Sequence, residues 1–235
     1  MNDIRNKVAV VTGAGRGIGR AIAIELAQMG ARVVVASRNV SELEDTARTI
    51  GTASAVPTDV RNKDEVHRLL EHASTQFGPV DILVNAAGVG VSRAVVEFTD
   101  ADYDAMLDTN LKSVFFASRF VLPSMISRGT GHIINIASIA GKVGSANLAV
   151  YCASKFGVVG FTQALAEEVR QHGIRVSLIC PGSTDTSFLG SSGKATKARE
   201  RMLAPSDIAH AVRMIVTQAP NSFISEVIIR PTMKP

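Results

Sequence analysis

Short apolar runs alternate with longer stretches in which apolar residues recur every three or four positions, and the alternation persists along most of the chain. The runs Val8–Val11, Arg32–Ala36, Ser54–Pro57, Asp81–Val84, His132–Ile136, Arg175–Ile179 and Glu226–Ile229 predict strands. Between them the helical spacing predicts helices over 17–29, 41–50, 63–77, 101–127, 150–171 and 206–218. Asn62 with Glu65 three residues later reads as the capped start of one of these helices. Strand and helix in strict alternation imply an α/β fold: a doubly wound sheet of seven parallel strands with helices on both faces. No Pro/Ser-rich linker, composition shift or repeat divides the sequence, so residues 1–235 are expected to form a single domain. The irregular stretch is 183–204, which is polar and carries Gly190, Gly193, Lys194, Lys197 and Arg199. It follows a strand end, where open α/β sheets bind ligands, and reads either as a lid over a substrate or as a plain surface loop.

Composition narrows the function classes. At 235 residues the chain can bury a sizeable α/β core, and 46% apolar with 20% charged residues is ordinary for a globular protein. A net charge of +4 without a basic run gives no nucleic-acid groove. No charged leader with an apolar segment precedes the first strand and no apolar stretch approaches 18 residues, so a soluble, cytoplasmic protein is expected. Cys152 and Cys180 are too few for a disulfide framework. The five histidines share no metal-ligand spacing with one another or with the cysteines, so no metal is expected.

The first strand runs into Gly13-Ala14-Gly15-Arg16-Gly17-Ile18-Gly19, after which a helical pattern begins. Glycines in such a turn let the backbone approach a pyrophosphate seated on the positive end of the helix. Ile18 stands where a strict G-x-G-x-x-G string has its last glycine, and many αβ turns contain glycine without binding a nucleotide. Downstream, Tyr151 and Lys155 lie one helical turn apart, with Ser138 thirteen residues before Tyr151. A nearby ammonium favours the phenolate, and a serine hydroxyl facing the pair can hold a carbonyl oxygen. Together they suit proton transfer at a carbinol oxygen. None of the three can supply a hydride, so a cofactor is required.

With Asp59-Val60, Asn85-Ala86-Ala87-Gly88, Asn110 and Pro181-Gly182 in order between and after these motifs, nearly the whole chain resembles the short-chain dehydrogenase/reductase family, a Rossmann-type fold, in its compact single-domain branch. The resemblance implies catalysis by Asn110, Ser138, Tyr151 and Lys155. Tyr151 would move the proton, Ser138 would bind the developing alkoxide, Lys155 would lower the phenol pKa and hold the nicotinamide ribose, and Asn110 would anchor a proton-feeding water. It also implies a cofactor cradle of Gly13, Gly15, Arg16, Gly17, Ile18 and Gly19. Asp59 would meet the adenine amino group beside Val60, and Asn85, Ala86, Ala87 and Gly88 would lie along the ribose. Pro181 and Gly182 would turn the chain over the nicotinamide, Thr184 follows where the family favours an aliphatic residue, and Thr186 would meet the carboxamide.

The second strand ends Val35-Ala36-Ser37-Arg38, without the carboxylate that marks NAD preference. Arg38 and Arg16 can flank a 2′-phosphate, with Ser37 adding a hydrogen bond, so NADP(H) is the expected cofactor. Expected pocket walls are 139–148, 89–94 and 183–204. Within the family the chain is most similar to 3-oxoacyl-(acyl-carrier-protein) reductases, which would make an acyl carrier protein a partner, met by Lys194, Lys197, Arg199 and Arg201 with Arg119 and Arg128. The ending Ile229-Arg230-Pro231 departs from the Gly-rich segment common in those reductases. A general carbonyl reductase, a secondary-alcohol dehydrogenase and a non-catalytic NADP-binding regulator are the alternatives. The resemblance further implies a homodimer or homotetramer.

Overall fold

Each buried strand carries apolar residues on both of its faces, as a sheet covered on both sides requires. The computed structural model of the protein describes residues 3–186, 188 and 196–234, and its strands are β1 (Val8–Thr12), β2 (Arg32–Ser37), β3 (Ser54–Pro57), β4 (Ile82–Asn85), β5 (Gly131–Ile136), β6 (Ile174–Pro181) and β7 (Glu226–Ile229). They form one all-parallel sheet in the order β3-β2-β1-β4-β5-β6-β7. The helices are α1 (Gly17–Gln28), α2 (Val40–Ile50), α3 (Lys63–Phe77), α4 (Asp100–Leu107), α5 (Ser113–Arg128), α6 (Ala149–Val169), α7 (Thr196–Arg199) and α8 (Pro205–Val216).

The period of two along the strands divides the core. Ala9 and Val11 with Val33 and Val35 pack against Ile22 and Leu26 of α1, Leu43 of α2 and Ile208 and Ile215 of α8. Val8 and Val10 with Val34 and Ala36 face the other way, against Leu69 of α3, Val121 and Met125 of α5 and Leu165 and Val169 of α6. The sheet order reverses between β1 and β4, and the chain leaves these two strands in opposite directions. That divergence opens a crevice at the carboxyl ends of the strands. No helix among the described residues is long and apolar enough to cross a membrane.

The expected helix over 101–127 is in fact interrupted. A π turn, Asp108–Lys112, separates α4 from α5 and carries Asn110 at its centre. The inserted residue rotates the helix that follows by about 100°, but no residue type marks the insertion, so the sequence does not reveal it; such turns recur at functional sites. The cap expected at Asn62 forms, its side chain accepting from the amides of Asp64 and Glu65. Glu65 does not return to Asn62, however, but accepts from the amide of Asp59 at 2.7 Å and so fixes the segment leaving β3.

His132 on β5 is buried, with Nε2 2.8 Å from Ser177 Oγ. Ser177 commits its own proton to the Ile224 carbonyl, so the neutral ring donates from Nε2. Burial, with Arg175 nearby, pushes the ring's pKa down to about 3. A folded pKa below the unfolded value of about 6.5 means that the unfolded chain takes up a proton the native state refuses. The stability present above that unfolded value is therefore lost as pH falls toward 3. Between pH 7 and pH 4 the loss from this residue is expected to be on the order of 3 kcal/mol. Urea titrations at both pH values, beside His132→Gln, check it: an equal pH dependence in both proteins would assign the loss to other groups.

Candidate active site

At the carboxyl ends of the strands lies a cleft of about 1110 Å³, slightly above the roughly 300–1,000 Å³ usual for ligand pockets. Its floor is the turn after β1. Gly13 adopts φ +67, and a Cβ placed there would stand 2.7 Å from the Ala87 backbone. Only glycine lets this turn pass so close to the segment leaving β4. Thr12 secures the same crossing from below, its hydroxyl accepting from the amides of Ala86 and Ala87 at 3.2 and 3.3 Å. Arg16, at the N-cap of α1, makes no side-chain cap, and no acidic residue occupies the first turn. The amides of Gly17, Ile18 and Gly19 therefore keep their positive end directed at the cleft, as an anion requires.

Gly13, Gly15, Arg16, Gly17, Ile18 and Gly19 line the cleft with Ser37, Arg38, Val60, Ala86, Ala87 and Gly88. Pro181, Gly182, Thr184 and Thr186 close one side, and Ser138, Tyr151 and Lys155 stand among the same walls. Three expected site residues do not line it. Asp59 turns its carboxylate to Arg61, two residues on, whose Nη2 donates at 2.6 Å and Nε at 3.0 Å; a bidentate guanidinium is a stronger partner than an amino group of a base. Asn85 donates to Asn135 Oδ1 at 2.8 Å inside the sheet, a structural bond between β4 and β5. Asn110 is consumed by protein groups: Oδ1 accepts from Val89 N at 2.8 Å, while Nδ2 donates to Val89 O and to Ser154 Oγ, each at 2.9 Å. It anchors the loop after β4 beside α6.

Ser138 ends β5 and opens the short turn Ile139–Gly141, its Oγ accepting from Ala140 N at 3.1 Å and leaving its own proton free for another acceptor. Tyr151 and Lys155 share one face of α6. Burial pushes the Tyr151 phenol up to about 12, opposed by a hydrogen bond with Ser138. Burial likewise pushes the Lys155 ammonium down to about 8. Lys155 is 4% exposed; its Nζ donates to the Ile136 carbonyl at 3.0 Å and lies 5.9 Å from the centre of the Tyr151 ring. Burial is the largest influence on the phenol in this cleft. Near neutral pH the pair is a neutral phenol beside a mostly protonated amine, an arrangement suited to giving a proton.

The inner walls are apolar, with Val89, Ile139, Val143, Leu148, Phe188 and Met202. Phe188, within the stretch 183–204 expected as a pocket wall, meets the Tyr151 ring edge-on at 5.8 Å. Lys142, expected within the pocket, pairs instead with Glu226 of β7 at 2.8 Å. Glu42 and Arg230 line the cleft and were not anticipated; Glu42 lies a full helical turn beyond the β2 end, where a nucleotide-contacting carboxylate is normally sought. Of the basic residues considered for carrier docking, Arg128 is bound to Asp81 at 3.0 Å beside the amino end of β4, away from the cleft. Arg199 pairs with Asp185 at 3.2 Å, and Arg119 lies over the Phe115 ring at 5.9 Å. Gly190, Gly193 and Lys194 of the expected lid lie outside the described residues, as does the Lys197 side chain.

Comparison with known proteins agrees with this geometry. The family described as "short chain dehydrogenase" matches residues 7–197. A protein of Staphylococcus aureus (strain USA300) named uncharacterized oxidoreductase is 39% identical over 233 residues, 98% of this chain and 100% of its own. Among solved structures, a metagenomic short-chain oxidoreductase in complex with NADP is 40% identical with a TM-score of 0.86, the likeness covering 99% of this chain and 100% of that one. A variant of the actinorhodin polyketide ketoreductase with NADPH is 35% identical with a TM-score of 0.88, covering 95% of each.

Proposed function

The chain belongs to the short-chain dehydrogenase/reductase family, and we propose that within it this oxidoreductase uses NADPH to reduce a ketone to a secondary alcohol. The observation that carries the reading is a single cleft with a proton-moving group, Ser138, Tyr151 and Lys155, among the same walls as the arginines Arg16 and Arg38. The glycine floor and the free amides of α1 fit a dinucleotide pyrophosphate. Arg16, Ser37 and Arg38 would hold the 2′-phosphate, Val60 the adenine face, and Ala86, Ala87 and Gly88 the ribose side. Gly182, Thr184 and Thr186 would face the nicotinamide, and Lys155 its ribose.

NADPH held by these residues would supply a hydride for the carbonyl carbon and be left as NADP+. Ser138 donates a hydrogen bond to the carbonyl oxygen as negative charge develops there. Tyr151 gives that oxygen its proton, so the phenol O–H bond breaks as the alcohol O–H bond forms. The high phenol pKa keeps this acid protonated at neutral pH, the state that reduction requires. Lys155, buried beside Tyr151, offsets the charge left on the tyrosinate until solvent restores its proton. Asn110 acts as a positioning residue, holding Val89 and Ser154 around this centre. The apolar walls support a hydrophobic ketone.

A 3-oxoacyl thioester, free or on an acyl carrier protein, is the second reading, supported by the likeness to a polyketide ketoreductase. A cytoplasmic location and a homodimer or homotetramer are part of the proposal; Phe115 on α5 and Phe156 on α6 are 42% and 47% exposed on faces suited to a second copy. Loss of NADPH absorbance at 340 nm with an aryl ketone and with an acetoacetyl thioester tests the function. Turnover of the ketone is expected. Turnover of the thioester alone would move the assignment to acyl reduction, and turnover of neither would overturn the ketone reading.

A further inference from the structure

The end of β2 lacks a carboxylate, yet the fold brings one to the same corner from the first turn of α2. Glu42 lines the cleft, and its Oε1 lies 3.6 Å from Arg16 Nη1. A Cβ built on Gly15 would stand 2.8 Å from Ser37 Oγ, 3.2 Å from Glu42 Cβ and 3.4 Å from Glu42 Oε2. The glycine turn, the last side chain of β2 and this carboxylate therefore converge on one point.

The backbone that carries Glu42 is also anchored there. Its amide donates to the Asn39 side chain at 3.2 Å. The Thr46 hydroxyl, fully buried, lies 3.0 Å from the Glu42 carbonyl and 3.2 Å from the Gly15 carbonyl, linking the first turn of α2 to the glycine turn. The side chain is 35% exposed, less than the 62% of its Arg16 partner.

We propose that Glu42 is a specificity-determining residue of the cofactor site, one that holds the preference for NADPH below what Arg16 and Arg38 would otherwise give. The inference rests on the reading of this cleft as the NADP(H) site. A phosphate monoester carries a charge of about −1.5 to −2 near pH 7, so a 2′-phosphate and the Glu42 carboxylate compete for one guanidinium and repel each other. Without the 2′-phosphate the relation reverses. The ribose of NADH offers hydroxyl donors, and a carboxylate is the acceptor they require. One residue thus weakens the phosphorylated dinucleotide and assists the other.

Fluorescence titration of the full-length protein with NADPH and with NADH tests this, using wild type, Glu42→Gln and Glu42→Ala. Gln keeps the shape and removes the charge; Ala removes the contact with Arg16 as well. In both variants the ratio of the NADH to the NADPH dissociation constant is expected to widen about tenfold, by tighter NADPH and weaker NADH binding, with a smaller change in high salt. An unchanged ratio in both variants would overturn the proposal. A narrowed ratio would also overturn it, making Glu42 a support that orients Arg16 for phosphate. Failure of wild type to bind either dinucleotide would show in the wild-type titrations alone and would remove the underlying reading together with the inference.

Discussion

Tyr151→Phe is expected to lower kcat for ketone reduction by roughly 10²–10⁴ while leaving NADPH binding unchanged. The phenol is the acid that loads the carbonyl oxygen, and none of its neighbours replaces it. Ser138 can donate a hydrogen bond, but a serine proton is held too tightly to be given up. The Lys155 ammonium donates one of its protons to the Ile136 carbonyl at 3.0 Å and holds the others toward the cofactor side in the proposed role. Phenylalanine keeps the ring that meets Phe188 at 5.8 Å, so the pocket wall survives and the loss isolates proton transfer. Steady-state reduction with a fluorescence titration of NADPH decides the matter. A variant retaining more than a tenth of the wild-type rate would place the proton donor elsewhere.

The double variant Arg16→Ala with Arg38→Ala is expected to cut the preference for NADPH over NADH by about a hundredfold, almost wholly through the NADPH dissociation constant. Charge-assisted contacts contribute roughly 1.5–3 kcal/mol each. Both side chains are exposed, and Arg16 already answers to Glu42 at 3.6 Å, which moves each contact to the lower end of that range. Two such contacts sum to about 3 kcal/mol, or about two powers of ten. Competitive titrations with both dinucleotides measure the change. An unaltered ratio would mean that these arginines are solvated and that the 2′-phosphate sits elsewhere.

Where the sequence was legible, a strong local signal stood behind it. Strands such as Val8–Thr12 and Arg32–Ser37 are continuous apolar runs, and every residue of β1 is buried. Gly13 and Gly17 carry the positive φ that their turn demands, and Ser138, Tyr151 and Lys155 meet where their spacing placed them. What escaped depended on contacts between distant segments. The π turn around Asn110 inserts a residue that no local sequence signal marks. Asp59 was read for its position after β3, but a local arginine, Arg61, captured it. Lys142 sits in an apolar stretch by sequence and is drawn out by Glu226, eighty-four residues later. Glu42 carried no local mark, since a glutamate in the first turn of a helix is ordinary dipole chemistry. Helical spacing reveals the ammonium beside Tyr151 but not the dryness around the phenol.

That dryness extends to Lys155. An ammonium in a solvent-poor pocket, with a backbone carbonyl as its hydrogen-bond acceptor and no carboxylate among the described residues paired with it, detracts from the stability of the fold at neutral pH. A methionine of similar length would fit the same space more favourably. Evolutionary pressure for robustness and pressure for turnover therefore act on this position in opposite directions. A lineage relieved of its chemistry would be free to lose the lysine and gain heat resistance, so persistence of lysine at this site across relatives would itself record continuous selection for activity.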